Sequence, residues 1–305
     1  MGFEGYIYSM FDQLYSPLQK IDHPLLTNLY VKRDDLIDPY ISGNKWRKLK
    51  YLLERAAVEG KTHLVTFGGA FSNHLVATAS AAARKGLQAT AFVRGEAVQN
   101  EMLLLCKLYG MRLIFVDRES YRQKRQLFEQ HFHNDFKAFF IDEGGASAEA
   151  VRGCAAILDE LPIDTDHLFC AAGTGTTAAG LLQGILNNER STTLHVVPVL
   201  KGGDFIKQEI AQYVPVVDKQ LKVHTGYHFG GYAKTTPELL AFLQEFATAH
   251  GILTDPIYTA KLFYAIEDLA RKGEINKDER IVALHSGGLL GLLGTKDKLE
   301  HLFTS

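Results

Sequence analysis

The sequence has few of the features that mark membrane, nucleic-acid-binding or disulfide-stabilised proteins. Its three cysteines, Cys106, Cys154 and Cys170, are widely spaced and odd in number, so they show no disulfide framework or metal-ligand spacing. No apolar run reaches the roughly 18 residues of a membrane span, and none follows a basic start at the N-terminus. A formal net charge of -2 provides no positive potential that would attract a polyanion such as a nucleic acid. We therefore expect a cytoplasmic protein that binds no metal, nucleic acid or membrane.

Most of the chain alternates between short β-rich runs and helical runs. This alternation predicts an α/β fold with parallel sheets covered by helices. In such folds ligands bind at the carboxyl ends of strands, in the loops that lead into helices. The predicted strands cover 63–67, 88–93, 112–116, 138–142, 167–171 and 195–200, and the predicted helices include 73–84, 100–109, 120–132 and 147–161.

The first candidate site is a turn of small residues, 42–44, before an amphipathic helical run. Asn44 is a good helix N-cap, which would place Lys45 at the first helical position. The positive end of a helix lowers the pKa of an ammonium group, as a Schiff-base lysine requires. The residues alone favour a plainer interpretation, a solvated basic helix start. Arg47, Lys48 and Lys50 would then be surface charges, or contacts to a phosphate or between domains.

The second candidate site is the segment 68–74, Gly-Gly-Ala-Phe-Ser-Asn-His, between a strand and an alanine-rich helix. Its two glycines allow the backbone to approach a ligand closely. Ser72 and Asn73 place a hydroxyl, an amide and free helix N–H groups together, which suits a carboxylate. A tight strand–helix turn capped by Asn73 is an equally good interpretation.

The third candidate site, 173–178, also follows a strand and opens a helix. Its glycines expose backbone N–H groups and its threonines add hydroxyls, an arrangement that favours a phosphate. A P-loop is excluded because no Gly-Lys-Ser/Thr follows. Gly173, Gly175 and Ala178 fit a dinucleotide fingerprint, but the next strand ends in Lys-Gly-Gly at 201–203 where an acidic residue is expected. A structural glycine turn also remains open.

Together these sites resemble the pyridoxal phosphate (PLP) enzymes of fold type II, which are tryptophan-synthase-β-like. Three segments narrow the resemblance to the D-cysteine desulfhydrases and 1-aminocyclopropane-1-carboxylate (ACC) deaminases. Residues 43–49 are similar to G-N-K-x-R-K-L, residues 255–261 to D-P-x-Y-T-x-K, and residues 285–288 to H-T-G-G. The resemblance spans about residues 30 to 292.

The resemblance implies two open, twisted, mostly parallel sheets flanked by helices, pyridoxal 5'-phosphate as cofactor, a small amino-acid substrate and a homodimer. We expect a large domain of residues 1–50 plus 160–305 and a small domain of residues 51–159. Lys45 would form the Schiff base. The implied cofactor-binding residues are Lys45, Asn73, Gly173, Thr174, Gly175, Thr176, Thr177 and Ser286, with Asn73 on the phenolic oxygen and Ser286 on the pyridine nitrogen. The implied substrate-carboxylate residues are Ser72, Asn73 and His74, and the implied catalytic residues are Lys45, Ser72, Tyr258 and Tyr232.

Three departures from the family pattern bear on the substrate. ACC deaminases typically have glutamate after the active-site tyrosine, where this chain has Thr259. A hydroxyl does not keep the pyridine nitrogen protonated, which favours α,β-elimination from a D-amino acid, with keto acid and ammonia as products, over opening of a cyclopropane ring. Trp46 and Phe71 replace smaller or polar residues and suggest a bulkier substrate. ACC deamination, a serine dehydratase or sulfhydrylase activity, and a non-catalytic nucleotide-binding module remain the alternatives.

Overall fold

A computed structural model describes residues 14–216 and 219–303. It contains a six-stranded sheet and a four-stranded sheet, both flanked by helices, which confirms the predicted fold class. The strands are β1 (Leu18–Ile21), β2 (Asn28–Lys32), β3 (His63–Gly69), β4 (Gln88–Arg94), β5 (Arg112–Val116), β6 (Ala138–Phe140), β7 (His167–Ala172), β8 (Thr193–Pro198), β9 (Leu221–Val223) and β10 (Arg280–Leu284). The α-helices are α1 (Asn44–Val58), α2 (Asn73–Arg84), α3 (Glu101–Leu108), α4 (Lys124–Phe132), α5 (Ala148–Ala155), α6 (Thr176–Asn187), α7 (Phe205–Ala211), α8 (Pro237–His250) and α9 (Thr259–Arg271).

The large sheet has the order β1-β2-β10-β7-β8-β9 and is parallel except for β1, which pairs antiparallel with β2. The small sheet, β5-β4-β3-β6, is parallel throughout. Strands such as β3 and β7 are buried along nearly their whole length, because helices cover both faces of a parallel sheet. The carboxyl ends of β3, β7 and β10 therefore carry the loops in which the chemistry is expected.

Two predicted helices are shorter in the structure. The one expected over 120–132 starts at Lys124, because the backbone at Gln123 leaves the helical region (φ -99°, ψ 53°). The Asp117 carboxylate accepts two backbone N–H groups in the preceding turn and stabilises that turn by itself. The one expected over 147–161 ends at Ala155 and continues as a separate 3-10 turn, Leu158–Glu160.

The two sheets are built from different parts of the chain. Residues 63–140 supply the small sheet, and the segments before and after supply the large one. Helix α1 joins the two, since its start belongs to the candidate site while Leu49 and Leu52 pack with Leu64 and Leu75 of the small-sheet core. The boundaries 1–50 plus 160–305 and 51–159 stay a prediction, and residues 1–13, 217–218 and 304–305 lie outside the described residues. No helix in the described parts of the chain is long and apolar enough to cross a membrane.

Candidate active site

The turn before α1 and the loop after β10 touch at a point where only glycine fits. Gly43 has φ +60°, and a Cβ there would lie 1.8 Å from the carbonyl oxygen of Ser286. On the other side, a Cβ at Gly287 would lie 2.3 Å from the hydroxyl of Ser42. The backbone N–H of Asn44 donates to the same Ser286 carbonyl at 3.2 Å. Two segments more than 240 residues apart in the sequence are thereby fixed to each other at the base of Lys45.

Lys45 is the second residue of α1, because the helix begins at Asn44 with Gly43 as its N-cap. The prediction that Asn44 caps the helix is therefore wrong. Its amide instead donates to the hydroxyl of Thr177, 3.0 Å away in the glycine–threonine loop. Burial, and then the charge of Lys48, lowers the pKa of Lys45 to about 7. Near neutral pH a large fraction of the Lys45 amine is therefore the free base that a nucleophile or a proton acceptor requires.

Arg47 and Lys48 are buried, so the surface-charge interpretation is wrong for both, whereas the alternative of contacts within the protein is not contradicted. Arg47 is 1% exposed and donates to Asp34 at 2.6 and 2.7 Å and to Glu160 at 2.7 and 2.9 Å. Lys48 is also buried and donates to the Gly144 carbonyl at 3.4 Å. Sequence reasoning missed both because their partners lie far away in the chain. The one sequence feature that could have revealed their burial is that Arg47 and Lys48 lie in a helical segment whose neighbouring residues are apolar at helical spacing.

Two residues thought to shape the substrate site lie elsewhere. Trp46 packs in the core of the small sheet and is 7% exposed, so it does not indicate a bulkier substrate. Phe71 is 46% exposed and rests on Gly294, where a Cβ would lie 2.8 Å from its ring. A contact with the C-terminal 3-10 segment, Leu289–Phe303, thus accounts for this aromatic residue.

The turn at the start of α2 offers ligand-binding groups without competing partners. Ser72 is the N-cap residue, and its side chain makes no capping hydrogen bond. The Asn73 side-chain oxygen is buried and has no hydrogen-bond partner among the described residues. Burying an unsatisfied polar atom costs about 1–3 kcal/mol, so a bound group that donates to it would stabilise the site. A Cβ at Gly288 would lie 3.3 Å from the Asn73 amide nitrogen, which places the loop after β10 beside it.

The ring of His74 has one nitrogen without a hydrogen-bond partner in the part of the chain that the structure describes, and that nitrogen is an acceptor. Its Nε2 lies 2.8 Å from the Thr66 hydroxyl, which itself donates to the Ile141 carbonyl at 3.0 Å. Because a hydroxyl has one proton, Nε2 must carry the hydrogen and Nδ1 keeps its lone pair. Burial, and then Lys45 and Lys48, lowers the pKa of His74 well below its usual value, so the ring stays neutral. The His74 ring therefore has no free N–H for a substrate carboxylate, so the predicted role cannot belong to its side chain.

The loop after β7 forms a small cup at the start of a 12-residue helix, α6. Gly175 is the N-cap residue with φ +77°, and no side chain caps the first N–H groups. The hydroxyls of Thr174 and Thr176 lie 3.2 Å apart. Tyr258 closes one side of the cup, since a Cβ at Gly173 would lie 3.3 Å from its hydroxyl oxygen. Unpaired N–H groups at a helix N-terminus with hydroxyls beside them suit a phosphate.

The segment before α9 positions Tyr258 through a buried carboxylate. Asp255 accepts the backbone N–H groups of Ile257, Tyr258 and Thr259, all at 2.8–3.0 Å. The Thr259 hydroxyl donates to the same carboxylate at 2.9 Å and accepts the Asp255 backbone N–H at 2.8 Å. Thr259, the first residue of α9, thus takes part in the Asp255 cap of the helix, and its hydroxyl is fully used. Burial, and then Tyr232, raises the pKa of Tyr258 well above its usual value.

Tyr232 meets Tyr258 edge-on. Their ring centroids are 6.2 Å apart and the ring planes meet at 73°. Tyr232 is 44% exposed and lies on the solvent side of the pair. Ser286, the remaining predicted residue, is half-buried and belongs to the loop that contacts Gly43. The structure therefore brings the lysine, the Ser72–Asn73 turn, the phosphate cup and both tyrosines to one end of the parallel sheets.

These residues fit a phosphate-bearing carbonyl cofactor. The lysine amine has a lowered pKa, the cup can hold the phosphate, and the orphaned Asn73 oxygen can accept a hydrogen bond. Fold and site together define an α/β enzyme of the PLP-dependent class. Comparison with known proteins agrees: the family model of pyridoxal-phosphate dependent enzymes matches residues 13–287, and the chain belongs to this family.

Its relatives include two groups with different names. A protein of Thermotoga maritima, provisionally named a 1-aminocyclopropane-1-carboxylate deaminase, is 34% identical over 92% of this chain and 95% of its own length. A D-cysteine desulfhydrase of Yersinia enterocolitica is 27% identical, covering 90% of this chain and 91% of its own. Among solved structures, an ACC deaminase homologue superposes with a TM-score of 0.83 at 30% identity, over 99% of this chain and 100% of the other.

Proposed function

We propose that this enzyme catalyses α,β-elimination from a small D-amino acid, as a D-cysteine desulfhydrase-like lyase that releases a keto acid and ammonia. The observation that carries the proposal is Lys45, whose pKa is lowered to about 7 and which is linked through Asn44 to the phosphate cup. When bound, PLP supplies the electron sink for the reaction. The names of the relatives support this class of substrate.

Each loop has a separate task in the proposed reaction. The cup from Gly173 to Thr177 binds the cofactor phosphate, and Asn73 and Ser286 orient the ring. Ser72, with the free N–H groups of α2, binds the substrate carboxylate. Lys45 removes the proton from the substrate Cα as general base. Its lowered pKa leaves it deprotonated in large part at neutral pH, which matches this task.

Tyr258 and Tyr232 are proposed to lie beside the reacting carbon and to assist the departure of its leaving group. Because burial keeps its pKa high, Tyr258 stays protonated at neutral pH and can donate a proton but not accept one. Tyr232 packs edge-on against it toward the solvent, on the side where the leaving group would depart. A neutral donor at that point assists the departure of a thiolate or a halide.

The alternative within the family is ACC deamination, favoured by the name of the Thermotoga relative. Thr259 favours elimination instead, because its hydroxyl is used by Asp255 and the chain has no carboxylate at that position. The names of the relatives thus leave two substrates, ACC and D-cysteine. The use of the Thr259 hydroxyl in the helix cap favours D-cysteine.

A substrate screen tests the proposal. Purified holoenzyme is incubated with D-cysteine, β-chloro-D-alanine, L-serine and ACC, and keto acid and ammonia are measured together. We expect release of pyruvate from the first two at rates at least about tenfold above those from L-serine. Release of 2-oxobutanoate from ACC alone would assign the alternative, and turnover of L-serine alone would assign a dehydratase. A protein without visible cofactor absorbance that binds nucleotides would contradict enzyme function.

We further propose that the enzyme is a cytoplasmic homodimer. Helix α3 exposes Leu104 and Leu108, one turn apart and 56% and 74% exposed, a costly arrangement unless another surface covers it. A second copy is the occupant that the family resemblance implies. The three free cysteines are compatible with a reducing compartment. Light scattering that finds only the 33.9 kDa monomer would reject the dimer.

A further inference from the structure

The segment 255–261 ends in a lysine to which the proposed chemistry gives no task. Lys261 lies on α9 and is 0% exposed. Its ammonium donates to the carbonyl oxygens of His228 at 2.8 Å and Gly231 at 2.9 Å. Both acceptors belong to the loop before α8 and precede Tyr232. The buried Lys261 therefore donates its hydrogen bonds to the backbone of the loop that carries Tyr232, the more exposed tyrosine of the pair.

The backbone of this loop is strained. Four of the five residues from 229 to 233 have positive φ: Phe229 (51°), Gly230 (93°), Gly231 (118°) and Ala233 (56°). Two of the four are not glycine, and each such residue costs about 1–2 kcal/mol. Backbone of this kind persists only where surrounding contacts determine it. The two hydrogen bonds from Lys261 are contacts that do so.

The same lysine also belongs to the helix of the inner tyrosine. Tyr258 is the N-cap residue of α9 and stands three residues before Lys261, so one helical turn connects them. The side chain of Lys261 thus bridges the helix that positions Tyr258 and the loop that positions Tyr232. The two rings whose carriers it bridges have centroids 6.2 Å apart.

Lys261 stays mainly protonated near neutral pH, so its hydrogen bonds to the loop are retained. Burial, opposed by Asp255 and reinforced by Lys298, lowers the pKa of Lys261 to about 8. The side chain is therefore still mainly protonated at pH 7 and has three N–H donors. Lys298 itself donates to Thr235 at 3.2 Å and Ala233 at 3.4 Å, on the outer side of the same loop.

We propose that Lys261 is a positioning residue that holds the strained 228–233 loop against α9 and so sets the orientation of Tyr232 over Tyr258. It acts through backbone carbonyls and needs no contact with substrate. Its effect on turnover rests on the function proposed above. Its effect on the loop does not, and the two are measured separately.

The loop is tested by hydrogen–deuterium exchange on the holoenzyme. In Lys261→Met, which lacks all three donors, we expect amides 229–233 to exchange at least about tenfold faster than in the wild type. Lys261→Gln, which is too short to reach both carbonyls, gives a second measurement if the methionine variant folds poorly. The control is Arg271→Met at the end of the same helix, whose guanidinium pairs with Glu267, and it should leave the loop unchanged. Unaltered exchange at 229–233 in a folded Lys261 variant would overturn the proposal.

Turnover is tested by a double-mutant cycle with Tyr232→Ala. Because a 1 Å displacement of a positioned group can cost about a hundredfold, Lys261→Met alone should lower kcat/KM by about ten- to a hundredfold. In the Tyr232→Ala background the same change should lower it by less than about twofold. Full additivity would show that Lys261 acts elsewhere and would reject the link to Tyr232. A wild type without elimination activity would instead reject the proposed reaction, and the exchange experiment would still decide the role of Lys261.

Discussion

Lys45→Ala is expected to lower turnover of every substrate by about a thousandfold or more. The substitution removes both the amine that binds the cofactor and the proposed general base, and general-base catalysis alone contributes about 10²–10⁴-fold. The visible absorbance of the bound cofactor should change as well, because the covalent link is lost. Initial rates of pyruvate release and the absorbance spectrum measure the two effects.

The matched control is Lys50→Ala, a half-buried lysine of the same helix whose ammonium lies 5.6 Å from the Trp46 ring centre. It should retain activity within about threefold. A sharper distinction concerns Lys48, which is also buried and has a lowered pKa. Borohydride reduction followed by peptide mass analysis should place the cofactor on Lys45. A label on Lys48 would contradict the assignment.

Gly43→Ala is expected to disrupt the site as a whole. The new Cβ would lie 1.8 Å from the Ser286 carbonyl oxygen, so the turn before α1 or the loop after β10 must move. We expect a loss of about 3 kcal/mol or more in the free energy of unfolding, which combines a steric clash with a strained φ. Cofactor affinity should fall as well, because Lys45 lies two residues further along the chain. Denaturant titration and cofactor absorbance measure these losses.

Gly60→Ala separates the steric clash at Gly43 from the cost of its positive φ. Gly60 has φ +65°, close to the +60° of Gly43, but a Cβ there meets nothing within 4 Å. It should cost only the conformational penalty of about 1–2 kcal/mol and leave cofactor binding unchanged. Equal losses for the two substitutions would show that the contact between the turn and the Ser286 loop contributes nothing.

Much of the fold follows from local pattern. The helix from Asn73 to Arg84 and the strand from Arg112 to Val116 have the predicted bounds, because hydrophobic periodicity and the flanking turns determine them locally. The helix predicted over 120–132 failed at Gln123, where an Asp117-capped turn interrupts a continuous helical pattern. Boundaries of this kind depend on single hydrogen bonds that the residue pattern does not show.

The site residues also divide into those that the local sequence predicts and those that it does not. The positions of Ser72, Asn73 and the cup were predictable because small and polar residues at strand–helix junctions have a recognisable composition. The burial of Arg47 was not, because its partner Glu160 stands 113 residues away in the sequence. The capping role of Thr259 required knowing that the Asp255 carboxylate is buried and satisfied by it.

The sequence by itself determined a parallel α/β enzyme with three candidate ligand-binding loops and a lysine at the start of a helix, because these properties depend on residues close together in the chain. The tertiary structure decided which of the charged residues serve the site. It buried Lys48 beside Lys45, left His74 with only an acceptor, placed Trp46 in a core and directed Lys261 to the loop of Tyr232. The physical reason is that a charge or a polar atom acquires its protonation state and its task from partners, and those partners come from distant parts of the chain.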